Sequence, residues 1–319
     1  MKRGMRSLSE TTLRVSVVVA TYNRPQRLVA MLEALSRQSL PKDCYEVVIV
    51  DDGSREPLLP VLAPFMATLR IVYHRQENSG PSVARNAGIR LAGAKFVAMM
   101  DDDCAPAVDW LELLTKTLEA NPDAMVGGHT INALTDNLYS TVSQMIVDRV
   151  YAAHNADPQR AGFFTGGNFG ARKDLLLQMG GFDIRYRYAG AEDRALCDRW
   201  RHAGHPMIHL PQARVLHYHN LSLRSFLRQH FHYGRGAIVY HRTRVSTTAQ
   251  EAATAREIVF NWSAWRREIQ AKRGRHPVAG IVSLLFLWQF ANAAGYFWET
   301  IVRGTRFAAT DNGVKRPAP

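Results

Sequence analysis

Apolar and polar positions change rhythm along the chain. Near the N-terminus four short apolar or β-branched runs recur, at residues 15–20 (VSVVVA), 45–50 (YEVVIV), 69–73 (LRIVY) and 95–100 (KFVAMM). Runs of this length without alternation predict strands covered on both faces. Between them apolar residues return every three or four positions, at Leu28, Met31, Leu32 and Leu35 and again at Val83, Ala84, Ala87 and Leu91, which predicts helices that each bury one stripe. Strands and helices alternating at this spacing imply right-handed crossovers and an α/β fold, a mostly parallel, Rossmann-like sheet with helices on both faces. From about residue 107 to 220 the pattern loosens into helices and short strands, including a helix over 191–202 that stops at Ala203-Gly204. Beyond residue 221 it reads as helix: 222–241 is basic, aromatic and His-rich, 249–272 is amphipathic, and 278–298 holds no charged residue. The expected organisation is one α/β domain over 1–220, with halves 14–106 and 107–220, and a basic helical region over 221–319 that contains an apolar helix at 278–302.

Parallel sheets bind ligands beyond the carboxyl ends of their strands, where helix N-termini and loop amides converge. Polar residues collect at those positions. Thr21-Tyr22-Asn23-Arg24-Pro25 follows the first strand, Asp51-Asp52-Gly53-Ser54 the second, Glu77-Asn78-Ser79-Gly80 the third and Asp101-Asp102-Asp103 the fourth. Four such ends in succession describe a ligand crevice.

Composition adds a charge asymmetry. The 319 residues are 46% hydrophobic and 21% charged, which is globular and excludes a disordered or fibrous chain. The net charge of +12 lies wholly in residues 201–319, which carry 17 basic and 5 acidic side chains. Such an excess points to an acidic partner: phosphate, nucleic acid or anionic membrane. Cys44, Cys104 and Cys197 are odd in number and widely spaced, which predicts neither a disulfide framework nor a zinc module. The basic N-terminus leads into the first strand without a cleavage pattern, so a reducing cytoplasmic setting is expected.

Three adjacent carboxylates at the end of a buried strand repel one another unless a cation neutralises them. Mg2+ or Mn2+ suits such a site, because these ions take few protein carboxylates and keep positions for diphosphate oxygens. The alternative is a solvated acidic turn that caps a helix starting near Val108.

The words SVVVATYNRP, VIVDDGS, NSGPSVARNAG and MMDDDC, in this order and spacing, resemble the nucleotide-binding half of family 2 glycosyltransferases, which have the GT-A fold. GGNFGARKDLLLQMGGFD is similar to that family's acceptor-side segment, AGAEDRALCDRWRHAG to its catalytic helix and LPQARVLHYH to its His-bearing strand. The resemblance covers roughly residues 14–220 and implies inverting sugar transfer from a nucleotide-diphosphate sugar, UDP- or GDP-linked, to a hydroxyl acceptor. It implies a donor site of Thr21, Tyr22, Arg24, Asp52, Arg85 and Asp101, with Tyr22 stacking by the base and Asp52 accepting a hydrogen bond from it. Asp101 and Asp103 would be the acids of a D-x-D motif holding Mn2+ or Mg2+, with Asp103 the nearer contact and His217 completing the site. Asp193 is assigned the catalytic base, with Glu192 its rival, which otherwise bonds an acceptor hydroxyl. A helix N-terminus is expected to keep that carboxylate ionised. Gly166, Gly167 and Asn168 are expected to line the acceptor side, and Trp200 to pack beneath the helix.

The 278–298 stretch is long enough to cross a bilayer. Gln289, Asn292, Tyr296, Glu299 and Arg303, however, recur at helical spacing and form a polar stripe. That stripe favours a helix lying in the membrane interface, or packed on a partner, over a lone span. With the basic flanks it places the enzyme peripherally on the anionic inner face of the cell membrane, where the acceptor is lipid-linked or a growing polysaccharide. The rival is a core or dimer helix of a soluble protein. A basic nucleic-acid binder using Arg224, Arg228, Arg235, Arg242 and Arg244 is the other functional class considered. No nucleic-acid module supports it, and a dinucleotide-binding enzyme is excluded by the lack of G-x-G-x-x-G after the first strand.

Overall fold

A computed structural model describes residues 13–186, 188, 190–243, 258 and 261–311. The expectations for Arg244, Lys315, Arg316, the basic N-terminus and most of 249–260 lie outside the described residues.

β1 (Val15–Thr21), β2 (Tyr45–Asp51), β3 (Ile71–Arg75) and β4 (Phe96–Asp101) pair in parallel, joined by α1 (Pro25–Leu35), α2 (Leu59–Met66) and α3 (Pro81–Leu91). Next come β5 (Cys104–Pro106), α4 (Trp110–Ala120), β6 (Met125–Asn132), α5 (Leu138–His154), β7 (Asn168–Arg172), α6 (Lys173–Gln178), α7 (Glu192–His202) and β8 (Met207–His217). The eight strands form one sheet in the order β3-β2-β1-β4-β7-β6-β8-β5. β7 runs antiparallel to β4 and β6, and β5 antiparallel to β8, so the sheet is mixed but mostly parallel.

The unalternating strands are buried on both faces, as the hydrophobic runs require. Val15, Val17 and Val19 point into a core with Leu28, Met31, Leu32 and Leu35 of α1 and Trp110, Leu114 and Leu118 of α4. Val18, Val48, Val97 and Met99 point the other way, against Ile89 of α3, Leu175 of α6 and Leu196 and Trp200 of α7. Two expectations shift. The third strand begins at Ile71, which pairs with Val47, while Leu69 is buried in the turn before it. The α3 stripe loses its ends: Leu91 is exposed and Val83 only half-buried, whereas the polar Ser82, Arg85 and Asn86 are buried. Helix α3 is enclosed on more than one side because Gly88 lies directly on Val18 and Asn86 bonds both the N–H and the carbonyl of Phe182.

The last described elements are α8 (Leu223–Thr243), α9 (Trp262–Lys272) and α10 (Val278–Asp311). Phe226, Trp265, Ile269, Ile281, Leu284 and Trp288 form a third core against Val142 and Met145 of α5. Asn292, Tyr296 and Glu299 of the polar stripe are turned inward onto α8, so their partner belongs to the same chain: Glu299 is buried and accepts from Arg235 Nε at 2.7 Å, while the side chain of Arg303 lies outside the described ones. The two helices touch backbone to backbone at glycines, and a Cβ at Gly234 would run into the Asn292 carbonyl, one at Gly295 into that of Phe231. Gly295→Ala is therefore expected to cost about 1–3 kcal/mol through overpacking, read as a lower urea midpoint, whereas Ala293→Ser on the exposed side leaves the midpoint unchanged.

Candidate active site

Parallel register brings Thr21, Asp51, Arg75 and Asp101 to one edge of the sheet. Because β7 is antiparallel to β4, its beginning lies at the same edge, which sets Gly166 and Gly167 beside Asp101. β8 ends there too, with His217 opposite Cys104.

The three aspartates do not share one partner: Asp101 turns to Arg85, while Arg24 Nη1 reaches both Asp102 and Asp103. Asp101 accepts from Arg85 Nη2 at 2.9 Å, and Gly167 leaves no room for a side chain between itself and that carboxylate. Asp102 accepts from Thr21 Oγ1 at 2.8 Å and Arg24 Nη1 at 3.0 Å. Burial, opposed by Arg24 but aided by Asp103, pushes the Asp102 carboxyl up to about 6. Asp103 accepts from Arg27 Nη1 at 2.8 Å and lies 3.2 Å from His217 Nε2. Burial would raise Asp103, but the hydrogen bond and charge of His217, with Arg24, outweigh it and hold the group well below the usual carboxylate range. None of these side chains caps α4, whose N-cap is Asp109, so the solvated-turn alternative falls.

Among the described residues, donor atoms of Asp103, Cys104 and His217 lie within 4.8 Å of one another. Asp101 is outside that group, and its carboxylate is paired with Arg85. The Asp103 oxygen and His217 nitrogen fit Mn2+ or Mg2+. Burial raises the Cys104 thiol well above its ordinary value, which keeps it a protonated, poor donor for a hard ion.

Arg85 is the junction of the site. Besides Asp101 it donates through Nη1 to Glu192 Oε1 at 2.9 Å, and its guanidinium lies 5.3 Å from the centre of the Phe182 ring. Glu192 Oε2 accepts from the Gly190 N–H at 2.5 Å, so both its oxygens are engaged. Asp193 accepts from the Gly166 N–H at 3.3 Å and the Arg194 N–H at 2.7 Å. Contrary to the expectation from helix position, the Asp193 carboxyl is raised: burial, followed by the charge of Glu192, pushes it up to about 7. At this helix end, desolvation and a like charge outweigh the dipole.

Tyr22 is 45% exposed at the crevice rim and is no core residue. Asp52 is buried and organises the loop after β3: its Oδ1 accepts from Gln76 Nε2 and the Ser79 N–H, its Oδ2 from the Gly80 N–H. Asn168 departs from its expected acceptor-side position. It is fully buried, with Oδ1 accepting from Trp110 Nε1 at 2.9 Å, because alternation in β7 turns it into the sheet interior. Trp200 packs in the core as expected, donating to the Pro206 carbonyl. His219 stacks 4.9 Å from His217, and burial with the neighbouring His217 charge lowers it to about 4.

Sequence reasoning missed Arg27, Gly190 and Phe182. Arg27 was detectable, since it lies three residues after Arg24 and thus on the same side of the first turn. Gly190 has φ 156° and an extra Cβ would meet α8 there, while Ala191 is held at φ 69°. Gly236 of α8 comes so close to the Gly190 carbonyl that a side chain would collide with it. Arg235, one of the arginines of the nucleic-acid alternative, is committed inside the protein: it pairs with Glu299 and lies 4.7 Å over Tyr188.

The geometry is that of a nucleotide-sugar transferase, and comparison with known proteins agrees. The Glycosyl transferase family 2 profile matches residues 16–180, and the chain belongs to that family. It is 30% identical over 221 residues to a glucosyl-dolichyl phosphate glucuronosyltransferase of Haloferax volcanii, covering 64% of this chain and 69% of that protein. It is also 30% identical over 212 residues to an Escherichia coli chondroitin synthase, covering 56% of this chain and 31% of that protein. Among solved structures, the mannosyltransferase PcManGT from Pyrobaculum calidifontis, in complex with GDP-Man and Mn2+, superposes with TM-score 0.66 at 19% identity, over 90% of this chain and 88% of that one. S. aureus TarS 1-349 in complex with UDP gives TM-score 0.53 at 18% identity, over 92% of each chain. The fold is GT-A, and the protein is a glycosyltransferase that uses a nucleotide-sugar donor.

The raised Asp193 has a consequence for stability. Its folded value lies above the unfolded one of 3.8, so the native state holds the extra proton between the two and stability falls as pH rises through about 7. Asp193→Asn removes that loss, and its melting temperature relative to wild type is expected to be higher at pH 8 than at pH 5, by the equivalent of about 1–3 kcal/mol.

Proposed function

We propose that the protein is a metal-dependent, inverting glycosyltransferase acting at the inner face of the cell membrane. It moves a sugar from a UDP- or GDP-linked donor to a hydroxyl on a lipid-linked or polysaccharide acceptor, in cell-envelope synthesis. The observation that carries this reading is the Arg85 bridge, which ties Asp101, at the end of β4, to Glu192, at the start of α7, within one crevice. GDP-Man with Mn2+ and UDP, bound in two proteins of the same fold, support the donor class and the ion. The dolichyl-phosphate relative supports a lipid-linked acceptor.

Asp103 and His217 would hold the Mn2+ or Mg2+. When bound, such an ion neutralises charge on the diphosphate oxygens as the sugar–phosphate bond weakens. This chain's own residues do the rest. Tyr22 covers the base, and Asp52, with acceptor capacity left on Oδ2, takes a base N–H. Thr21 and Arg24 fix the donor edge by holding Asp102. Arg85 carries a fixed positive charge, since Asp101 and Glu192 outweigh the burial that would otherwise lower it, and it faces the diphosphate.

Asp193 is the base. It accepts the proton of the acceptor hydroxyl while the oxygen attacks the anomeric carbon opposite the departing phosphate, which inverts the configuration. A carboxylate near 7 is ionised in a large share of molecules at neutral pH and basic enough to take the proton. Glu192, both of whose oxygens are engaged, orients Arg85 instead. Gly166 and Gly167 keep the acceptor side open to a sugar or lipid-borne hydroxyl.

Asp103→Ala is expected to abolish the Mn2+-dependent rise in melting temperature produced by UDP or GDP, measured by thermal shift with and without the ion. Asp193→Asn is expected to retain that rise and lose about 100-fold or more in turnover. Wild-type turnover in Asp193→Asn would remove the base assignment.

A further inference from the structure

We infer that the outward face of α10, with the arginine-bearing face of α9 beside it, docks the enzyme on an anionic lipid bilayer, α10 lying along the surface instead of crossing it. The inference rests on the membrane setting proposed above, but not on the reaction.

Helix α10 buries Ile281, Leu284, Leu285 and Trp288 on one face yet leaves a second apolar face open. Its polar and small residues face α8, while Phe286, Phe290, Phe297 and Ile301 are 59%, 73%, 64% and 65% exposed. Their spacings of four, seven and four residues put them within about 60° of one another around the helix. A row of aromatic side chains this open to water is held against the hydrophobic effect unless something covers it.

The length and hydropathy of residues 278–302 would allow a span, yet the helix is not free to be one. Ile281, Leu284, Leu285 and Trp288 are locked in the core shared with α5 and α9, and Glu299 is a buried ion pair with Arg235. Crossing a bilayer would strip both. Lying flat exposes only the face that is already open.

Charge selects the occupant. Trp262 of α9 lies 6.0 Å from Phe286, ring centre to ring centre, so the two surfaces are continuous. One turn further along α9 come Arg266 and Arg267, then Lys272 at its end and Arg273 just after it, all exposed. The acidic residue of that stretch, Glu268, faces inward, 3.7 Å from Arg149. A bilayer with anionic headgroups offers an apolar boundary and negative charge in adjacent layers, matching the phenylalanine row and the arginines together. A second copy would satisfy the row but bring like charges face to face. Nucleic acid would satisfy the arginines and leave the row wet.

The docked helix also reaches the site. Glu299 holds Arg235, Arg235 covers Tyr188, and Tyr188 lies two residues before Gly190, whose N–H bonds Glu192. Contact with the membrane is thereby made on an element fixed to the loop that carries the acceptor-side carboxylates.

The test is flotation of the full chain with vesicles of phosphatidylcholine alone or with phosphatidylglycerol. Wild type is expected to float with the anionic vesicles. The double variant Phe290→Asp/Phe297→Asp is expected to lose at least about tenfold in partitioning. Arg266→Glu/Arg267→Glu is expected to lose the preference for phosphatidylglycerol and its salt sensitivity. Trp262 and Trp298, the exposed pair of the six tryptophans, are expected to be quenched by brominated acyl chains. Donor hydrolysis without membrane stays at the wild-type rate in both variants; its absence from wild type would overturn the transferase details and leave the docking intact. Wild type remaining with the buffer, or equal flotation of the Phe290/Phe297 variant, overturns the docking. So does a dimer that this variant converts to monomer while neither floats, which would assign the face to a second copy.

Discussion

Arg85 is a buried guanidinium with a carboxylate at each end, and the rest of the site is arranged around that fact. Asp101 meets it from the end of β4, Glu192 from the first turn of α7, and Phe182 covers its face. A buried cation with one partner removed is strongly destabilising, so the bridge fixes the distance between two halves of the chain that are over a hundred residues apart in sequence. It also explains why α3 buries polar residues: the helix is partly there to deliver Arg85 and Asn86 to the crevice.

Around this bridge the carboxylates are given different characters by their surroundings. Asp103, surrounded by Arg24, Arg27 and His217, stays ionised, whereas Asp193, desolvated beside Glu192, is lifted towards neutrality. One residue type thus takes opposite ionisation tendencies within one crevice. The glycines of β7 and of the loop before α7 allow these groups to approach: a side chain at Gly167 would displace Asp101, and one at Gly236 would displace the loop leading into Glu192.

Helix α10 follows another rule. In its first half α10 hides apolar residues, as a helix in water does, but further along it also hides a charge, because Glu299 finds Arg235 on α8 and the glycines of both helices let the backbones meet. The outward phenylalanines then remain open to water. Through Arg235 and Tyr188 the same helix is linked to the loop that leads into α7.

The sequence by itself determined the strands, the helices between them and the edge where polar residues gather, because burial on both faces and helical periodicity are local properties of the chain. It also located Asp103, His217, Glu192 and Asp193 through the words that contain them. The tertiary structure decided what local pattern cannot carry. Pairing β7 antiparallel to β4 brought Gly167 to Asp101 and turned Asn168 inward; Arg85 drew Asp101 and Glu192 together; and Arg27 entered the site from one turn along α1. The direction in which α10 faces was decided by its ion pair with α8. Each of these depends on which distant groups share a desolvated space, and the energies of charges there are set by neighbours in three dimensions, not by neighbours in sequence.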